Sequence, residues 1–204
     1  MPRPRMHNPD VVLDAAENLA VRSGPSTVTI RAVAAATGVS NGALYHAFGS
    51  RTELLCRTWI RAAQRFLAVQ AEQVGQAEDP VAAVLAAAEA PAVFAEQHPL
   101  STQLFLRVRR TDLFGDDLPE DQRAALDAPQ RELVELMKQL ARRLWERADP
   151  AAIDTLTICL VDLPTAILLH RDRLANPLAR RQLRAAVQAV LHVGPPPTAS
   201  HPTR

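Results

Sequence analysis

Between Thr29 and Leu55 the chain reads TIRAVAAATGVSNGALYHAFGSRTELL, and its chemistry-bearing residues cluster in the middle of that stretch. Asn41, Gly42, Ala43, Tyr45 and His46 are hydrogen-bonding or very small groups, interrupted by Leu44 and, four residues on, Phe48. On a helix the two apolar residues share one face and the others fall opposite. Such an outer face suits a polyanionic groove. An amide such as Asn41 reads base edges, Gly42 and Ala43 permit close approach, the Ala43 methyl meets a thymine methyl, and the Tyr45 hydroxyl reaches a phosphate. Arg31 and Arg51 add cations on either side, Arg31 for base edges or phosphates and Arg51 for phosphates.

These side chains need two short helices and a turn to hold them. Thr29 is an N-cap, and Ile30, Val33, Ala34 and Thr37 fall on one face of the helix it starts. Gly38 stands where that helix must stop with positive φ, Val39 is an apolar plug beside the turn, and Ser40 caps the second helix. The open N-terminus capped by Ser40 is itself a phosphate site. Ser50-Arg51-Thr52-Glu53 has the form of a capping box, so a third helix restarts at Ser50. A short helix with a polar outer face, braced by a small-residue helix behind a glycine turn, is how a helix-turn-helix meets a DNA major groove.

The run Ala43-Leu44-Tyr45-His46-Ala47-Phe48-Gly49-Ser50-Arg51 strongly resembles the signature of the tetracycline-repressor (TetR) family, and the likeness covers about residues 8 to 60. His46 departs from it, standing where many members carry Tyr or Trp. Gly49 stands where Lys is common, at the cost of a phosphate contact. The resemblance implies that Arg31, Asn41, Gly42, Ala43, Tyr45, His46 and Arg51 lie at the DNA surface, and the caps Thr29 and Ser40 complete the set. It also implies a C-terminal helical body that senses a ligand and dimerises.

Composition sets the bounds. The chain has 204 residues, 48% apolar and 4% aromatic, with few glycines and no alternating strand pattern, so the fold class is all-α with about nine helices. Net charge is +1, which excludes a global attraction to nucleic acid. The first 60 residues nonetheless carry six arginines against four carboxylates, and the remainder 17 basic against 18 acidic residues. Cys56 and Cys159 form no metal-type spacing and read as packed thiols in a reducing compartment. No phosphate loop, zinc motif or nucleophile elbow is present, which argues against an enzyme, and no metal or cofactor is expected. The N-terminus has no apolar leader and no run reaches a membrane span, so the protein is expected to be cytoplasmic and soluble.

The other elements follow in order. A basic arm, residues 1 to 7, precedes a bracing helix begun by Asn8-Pro9-Asp10, with Val12, Ala15, Ala16, Leu19 and Ala20 inward and Gly24 as its stop. The Ser50 helix runs to about Gly75. The next starts at Asp79-Pro80 and kinks or ends at Pro91. Another follows His98-Pro99. Thr111 to Asp127 reads as loop, and an amphipathic helix runs from Pro129 to about Arg147. Helices start at Asp149-Pro150, with a kink at Pro164, and at Asn176-Pro177. Those two carry more apolar surface, including Leu160 and Val187, than one body buries, and so predict a homodimer. The aromatics Trp59, Phe66, Phe94, Phe105 and Trp145, with Arg109, are candidate walls of a ligand pocket, although each aromatic also suits an ordinary core and the arginine a solvated face.

The expected division is a helix-turn-helix domain over 8–55 (the motif itself over 30–48), a regulatory and dimerisation domain over 56–193, and a disordered Pro-rich tail over 194–204. The expected function is transcriptional repression: a homodimer on a near-palindromic double-stranded DNA operator, released by an unidentified small-molecule inducer. The alternative is a constitutive DNA-binding dimer without a sensor.

Overall fold

The structure, a computed structural model, describes residues 8–108, 114 and 118–197. These residues hold nine α-helices and no strand, in keeping with the all-α expectation: α1 (Pro9–Ser23), α2 (Ile30–Thr37), α3 (Asn41–Phe48), α4 (Arg51–Gly75), α5 (Pro80–Gln97), α6 (Pro99–Arg107), α7 (Glu120–Trp145), α8 (Pro150–Thr157) and α9 (Pro177–Val193). The arm before Asn8, the residues 109–113 and 115–117, and the chain after Pro197 lie outside the described residues. Packing divides the chain into two compact units, one formed by Met1–Arg65 with His98–Pro129, the other by Phe66–Gln97 with Gln130–Arg204.

In the first unit α1 braces both α2 and α6. Asn8 caps α1, its Oδ1 accepting from Asp10 N at 3.0 Å. The buried face of α1 is Val12, Leu13, Ala16 and Ala20, with Ala15 and Leu19 partly covered. It also contains Glu17, 1% exposed. The Glu17 carboxylate accepts from Arg61 of α4 at 3.0 Å, and Asp10 and Asp14 bind the same guanidinium at 3.2 and 2.7 Å. Arg65, one turn on, lies 3.6 Å from both Asp14 and Glu17. A charge that would be intolerable alone is thus held by two cations, and α1 is locked to the middle of α4.

In the second unit α5 is a small-residue helix with Ala83, Ala87, Ala88, Ala90 and Ala92 buried, which lets its neighbours approach closely. α9 packs on it through Leu183 and Val187, and Arg184 and Arg180 pair with Glu89 and Glu96 at 2.6 and 3.2 Å. Pro91 does not end α5, which runs on to Gln97. The proline leaves the Ala87 carbonyl without its helical donor, and the buried Gln70 donates to that oxygen from Nε2 at 3.1 Å.

Pro129 acts differently from expectation. α7 begins at Glu120 and carries Pro129 inside it, so residues 120–127 are helix rather than loop. Glu120 and Asp121 sit in its first turn, where their charge favours the helix dipole, and Leu126 is buried. After Thr157 the α8 segment passes into wide π turns over Ile158–Asp162 and Thr165–Leu169, which flank Pro164. The bond from Leu163 N to the Ile158 carbonyl spans five residues, as a π turn requires. Asp149 caps α8 through Ala151 N and Ala152 N, and Asn176 caps α9 through Leu178 N and Ala179 N. At the end of the described chain the Pro196 carbonyl accepts from Arg147 Nη1 at 2.8 Å.

Candidate nucleic-acid interface

The expected helix-turn-helix forms as its residues dictate. Thr29 Oγ1 accepts from Ala32 N at 3.0 Å, and Ile30 and Val33 go inward. Gly38 ends α2 at φ 72° and ψ 6°, a left-handed conformation that costs an L-residue about 1–2 kcal/mol. Val39 is buried beside the turn, and Thr37 Oγ1 accepts from its N–H at 3.3 Å. Ser40 Oγ then accepts from Ala43 N at 3.2 Å and starts α3.

α3 has two opposed faces. Leu44 and Phe48 are 1% and 3% exposed, and burying each contributes roughly 1.5–3 kcal/mol, far more than an eight-residue helix could supply by its own propensity. Asn41, Gly42, Ala43, Tyr45 and His46 are all exposed, Tyr45 by 55%. Thr29, Arg31 and Ser40 are exposed as well. Among the described residues nothing lies within 4 Å of where a Cβ at Gly42 would stand.

The junction of α3 and α4 differs from the expected box in detail. Ser50 Oγ accepts from Glu53 N at 3.1 Å, but the Ser50 N–H goes to the Phe48 carbonyl at 2.7 Å. Glu53 instead takes Arg57 Nε at 2.6 Å. Arg57 lies over the Phe48 ring, 5.4 Å from its centroid, and donates to the Ala47 carbonyl at 3.4 Å, so it buttresses the end of α3. No local pattern marked Arg57; the i, i+4 spacing to Glu53 was the available signal. Gly49 has φ 68°, a backbone reason for glycine there.

Arg51 is half-buried and turned inward. Its Nε donates to the Val28 carbonyl at 2.6 Å and its Nη2 to the Pro25 carbonyl at 2.7 Å.

The candidate ligand residues are placed as follows. Trp59 meets Phe105 edge-on at 5.0 Å in the first unit, and Phe66 meets Phe94 edge-on at 5.5 Å in the second. Trp145 is half-buried, its indole beside Gly194. Arg109 lies outside the described residues. Among the described residues no group of His, Cys, Asp and Glu could hold a metal ion. The Cys159 thiol is pushed up to about 12 by burial.

A capped two-helix motif with a polar outward helix, in an all-α chain, defines a DNA-binding regulator of the helix-turn-helix class. Residues 12–57 match the family described as bacterial regulatory proteins, tetR family. No curated protein matches the chain. Solved structures similar to it include the TetR family transcriptional regulator PfmR from Thermus thermophilus, at 22% identity and a TM-score of 0.63, over 89% of this chain and 97% of that one. A TetR-like transcriptional regulator from Rhodococcus sp. RHA1 matches at 21% identity and 0.66, over 94% and 99%. A protein described as superantigen PfiT matches at 17% and 0.68, over 98% and 100%. These likenesses establish the fold along nearly the whole chain, and the breadth of their descriptions leaves function to be argued from the site.

Proposed function

We propose that the protein is a cytoplasmic transcriptional repressor that binds a near-palindromic operator as a homodimer and is released by a small-molecule ligand. The observation that carries the DNA part is the division of α3. Its two large apolar side chains are buried while its polar and small residues are exposed, as is Arg31 of α2. Asn41 and Ala43 read base edges, Tyr45 and the N-terminus of α3 take phosphates, and 8–55 acts as the DNA-binding domain.

The homodimer rests on the segment Pro150–Leu169. It has a mean hydropathy of 1.8 and is long and apolar enough to cross a membrane, yet its most apolar stretch is only 39% buried within the chain. Ile158 is 41% exposed and Leu178, on α9, 52%. A second copy covers such a surface, and two-fold pairing sets half-sites about one helical turn, ~34–36 Å, apart. The segment 56–193 then serves regulation and dimerisation.

A ligand shifts operator affinity only by binding two states differently. The alternative, a constitutive dimer without a sensor, is favoured by one observation: Trp59 and Phe105, like Phe66 and Phe94, are satisfied by each other. A selection of duplexes from a random pool, with light scattering of the free protein, tests the core of the proposal. Failure to enrich any duplex, or a monomer at micromolar concentration, overturns it. A thermal-shift screen followed by ligand titration with and without the selected duplex separates the sensor from the constitutive dimer, because coupling must be reciprocal.

A further inference from the structure

We propose that Arg51 is a positioning residue that pins both ends of the helix-turn-helix with one side chain, and that it is not a phosphate contact; the inference rests on the DNA-binding reading above. The guanidinium uses Nε and Nη2, its bidentate edge, on two backbone carbonyls of the connector between α1 and α2, those of Val28 and Pro25. Pro25–Thr27 is a single 3₁₀ turn, Val28 is fully buried, and Thr29 follows immediately as the cap of α2. Arg51 itself is the first residue of α4. It follows α3 after only Gly49 and Ser50, which are folded back by bonds from Gly49 N to the Tyr45 carbonyl and from Ser50 N to the Phe48 carbonyl.

Thr29 to Ser50 is therefore a loop whose entry and exit are fastened to one another by Arg51. The orientation of α3 is fixed at its N-terminus by the Gly38 turn and at its C-terminus by this clamp. Removing the clamp frees the exit of α3 without touching its outer face. Base contacts, which demand sub-ångström placement, suffer more than contacts to the uniform phosphate backbone.

A phosphate ligand and a clamp leave different marks on binding. Loss of one phosphate contact per subunit weakens operator and random duplex alike. It also reduces the slope of log K against log salt by about 0.9 per subunit. Loss of a clamp reduces the preference for operator and leaves the slope unchanged. The experiment uses Arg51→Met, which keeps the apolar stem, and Arg51→Lys, which keeps the charge. Both are titrated from low to physiological salt against a selected operator and a random duplex. The expected result is a fall of about tenfold or more in the operator-to-random ratio for Arg51→Met at constant slope, corresponding to about 1.4 kcal/mol. Arg51→Lys should behave closer to Met than to wild type, because an ammonium lacks the paired donors of the fork.

Wild-type-like binding by Arg51→Lys, together with equal losses on both duplexes and a reduced slope for Arg51→Met, overturns the proposal in favour of a phosphate contact. An unchanged operator-to-random ratio in both variants overturns it as well. If Arg51→Met does not fold, the salt slope and duplex ratio of Arg51→Lys decide alone. A wild-type protein that selects no duplex ends the DNA-binding reading and the proposal with it, an outcome distinguishable because it needs no variant.

Discussion

Gln70 donates from Nε2 to the Ala87 carbonyl at 3.1 Å, the one carbonyl of α5 that Pro91, four residues later, is unable to bond. The proline and the glutamine are therefore coupled. Gln70→Leu should destabilise the second unit by about 1–3 kcal/mol, the cost of a buried acceptor left unsatisfied. In a Pro91→Ala background, where residue 91 regains its N–H, the same change should cost much less. A double-mutant cycle by denaturant unfolding measures the coupling, and additive effects would refute it.

The Arg61 guanidinium is the main counter-charge to a carboxylate that is 1% exposed. Arg61→Ala should cost about 3 kcal/mol, the lower end for a broken buried pair, since Arg65 stays within 3.6 Å. Replacing both partners with apolar residues, Glu17→Leu with Arg61→Met, should be less harmful than Arg61→Ala alone. Unfolding midpoints of the three variants decide between these outcomes.

On the outer face of α3, Tyr45→Ala should weaken selected and random duplexes similarly, and Asn41→Ala should relax the preference at one base of each half-site by about 1–3 kcal/mol. Gel-shift titrations with single-base operator variants distinguish the two. If both variants bind like wild type, the docking face is wrongly placed.

For the dimer, exposure changes which residue to substitute. Leu160 and Val187, prominent on the stripes of their helices, are 5% and 0% exposed within the chain, so arginine at either site should unfold the protein. Ile158→Arg, at a position 41% exposed, should split the dimer while leaving the monomer's helical content intact. Sedimentation together with circular dichroism reads both effects.

Asp149 gives a pH signature. Its hydrogen bonds from Arg147, opposed by some desolvation and aided by the Ala152 N–H, hold the carboxyl well below the usual carboxylate range. A lowered folded-state pKa means stabilisation that is complete above the unfolded value, about 4, and is lost as pH falls through the folded value. Asp149→Asn, which retains a capping oxygen, should therefore lower the melting temperature by a constant amount from neutral pH down to about 5. The difference should begin to narrow below about pH 4 and close progressively as the pH falls further. A gap that widened in acid would contradict the assignment.

What was legible in the sequence was local chemistry. Asn8, Thr29, Ser40, Asp149 and Asn176 announce helix starts because a cap needs only its own next three residues, and each caps as expected. The two faces of α3 were legible because Leu44 and Phe48 are four apart. Partnerships across long separations were not. Glu17 occupies a position that periodicity alone would leave to solvent or to an apolar residue, and it is Arg61 and Arg65, 44 and 48 residues on, that make its burial tolerable. The inward turn of Arg51 depends on carbonyls 23 and 26 residues before it. The early start of α7 was hidden by Pro129, which ordinarily marks a first turn but here sits inside the helix.

The two thiols are buried in different units, Cys56 in the first and Cys159 in the second. A thiol held at about 12 is protonated at any physiological pH and gives an alkylating reagent no thiolate to attack while the fold is closed. Modification of Cys159 must then wait for opening of its surroundings, and its rate becomes a clock for that opening. The chain thus carries its own paired stopwatch: mass spectrometry after timed alkylation counts openings at each site separately, with no cysteine to be introduced.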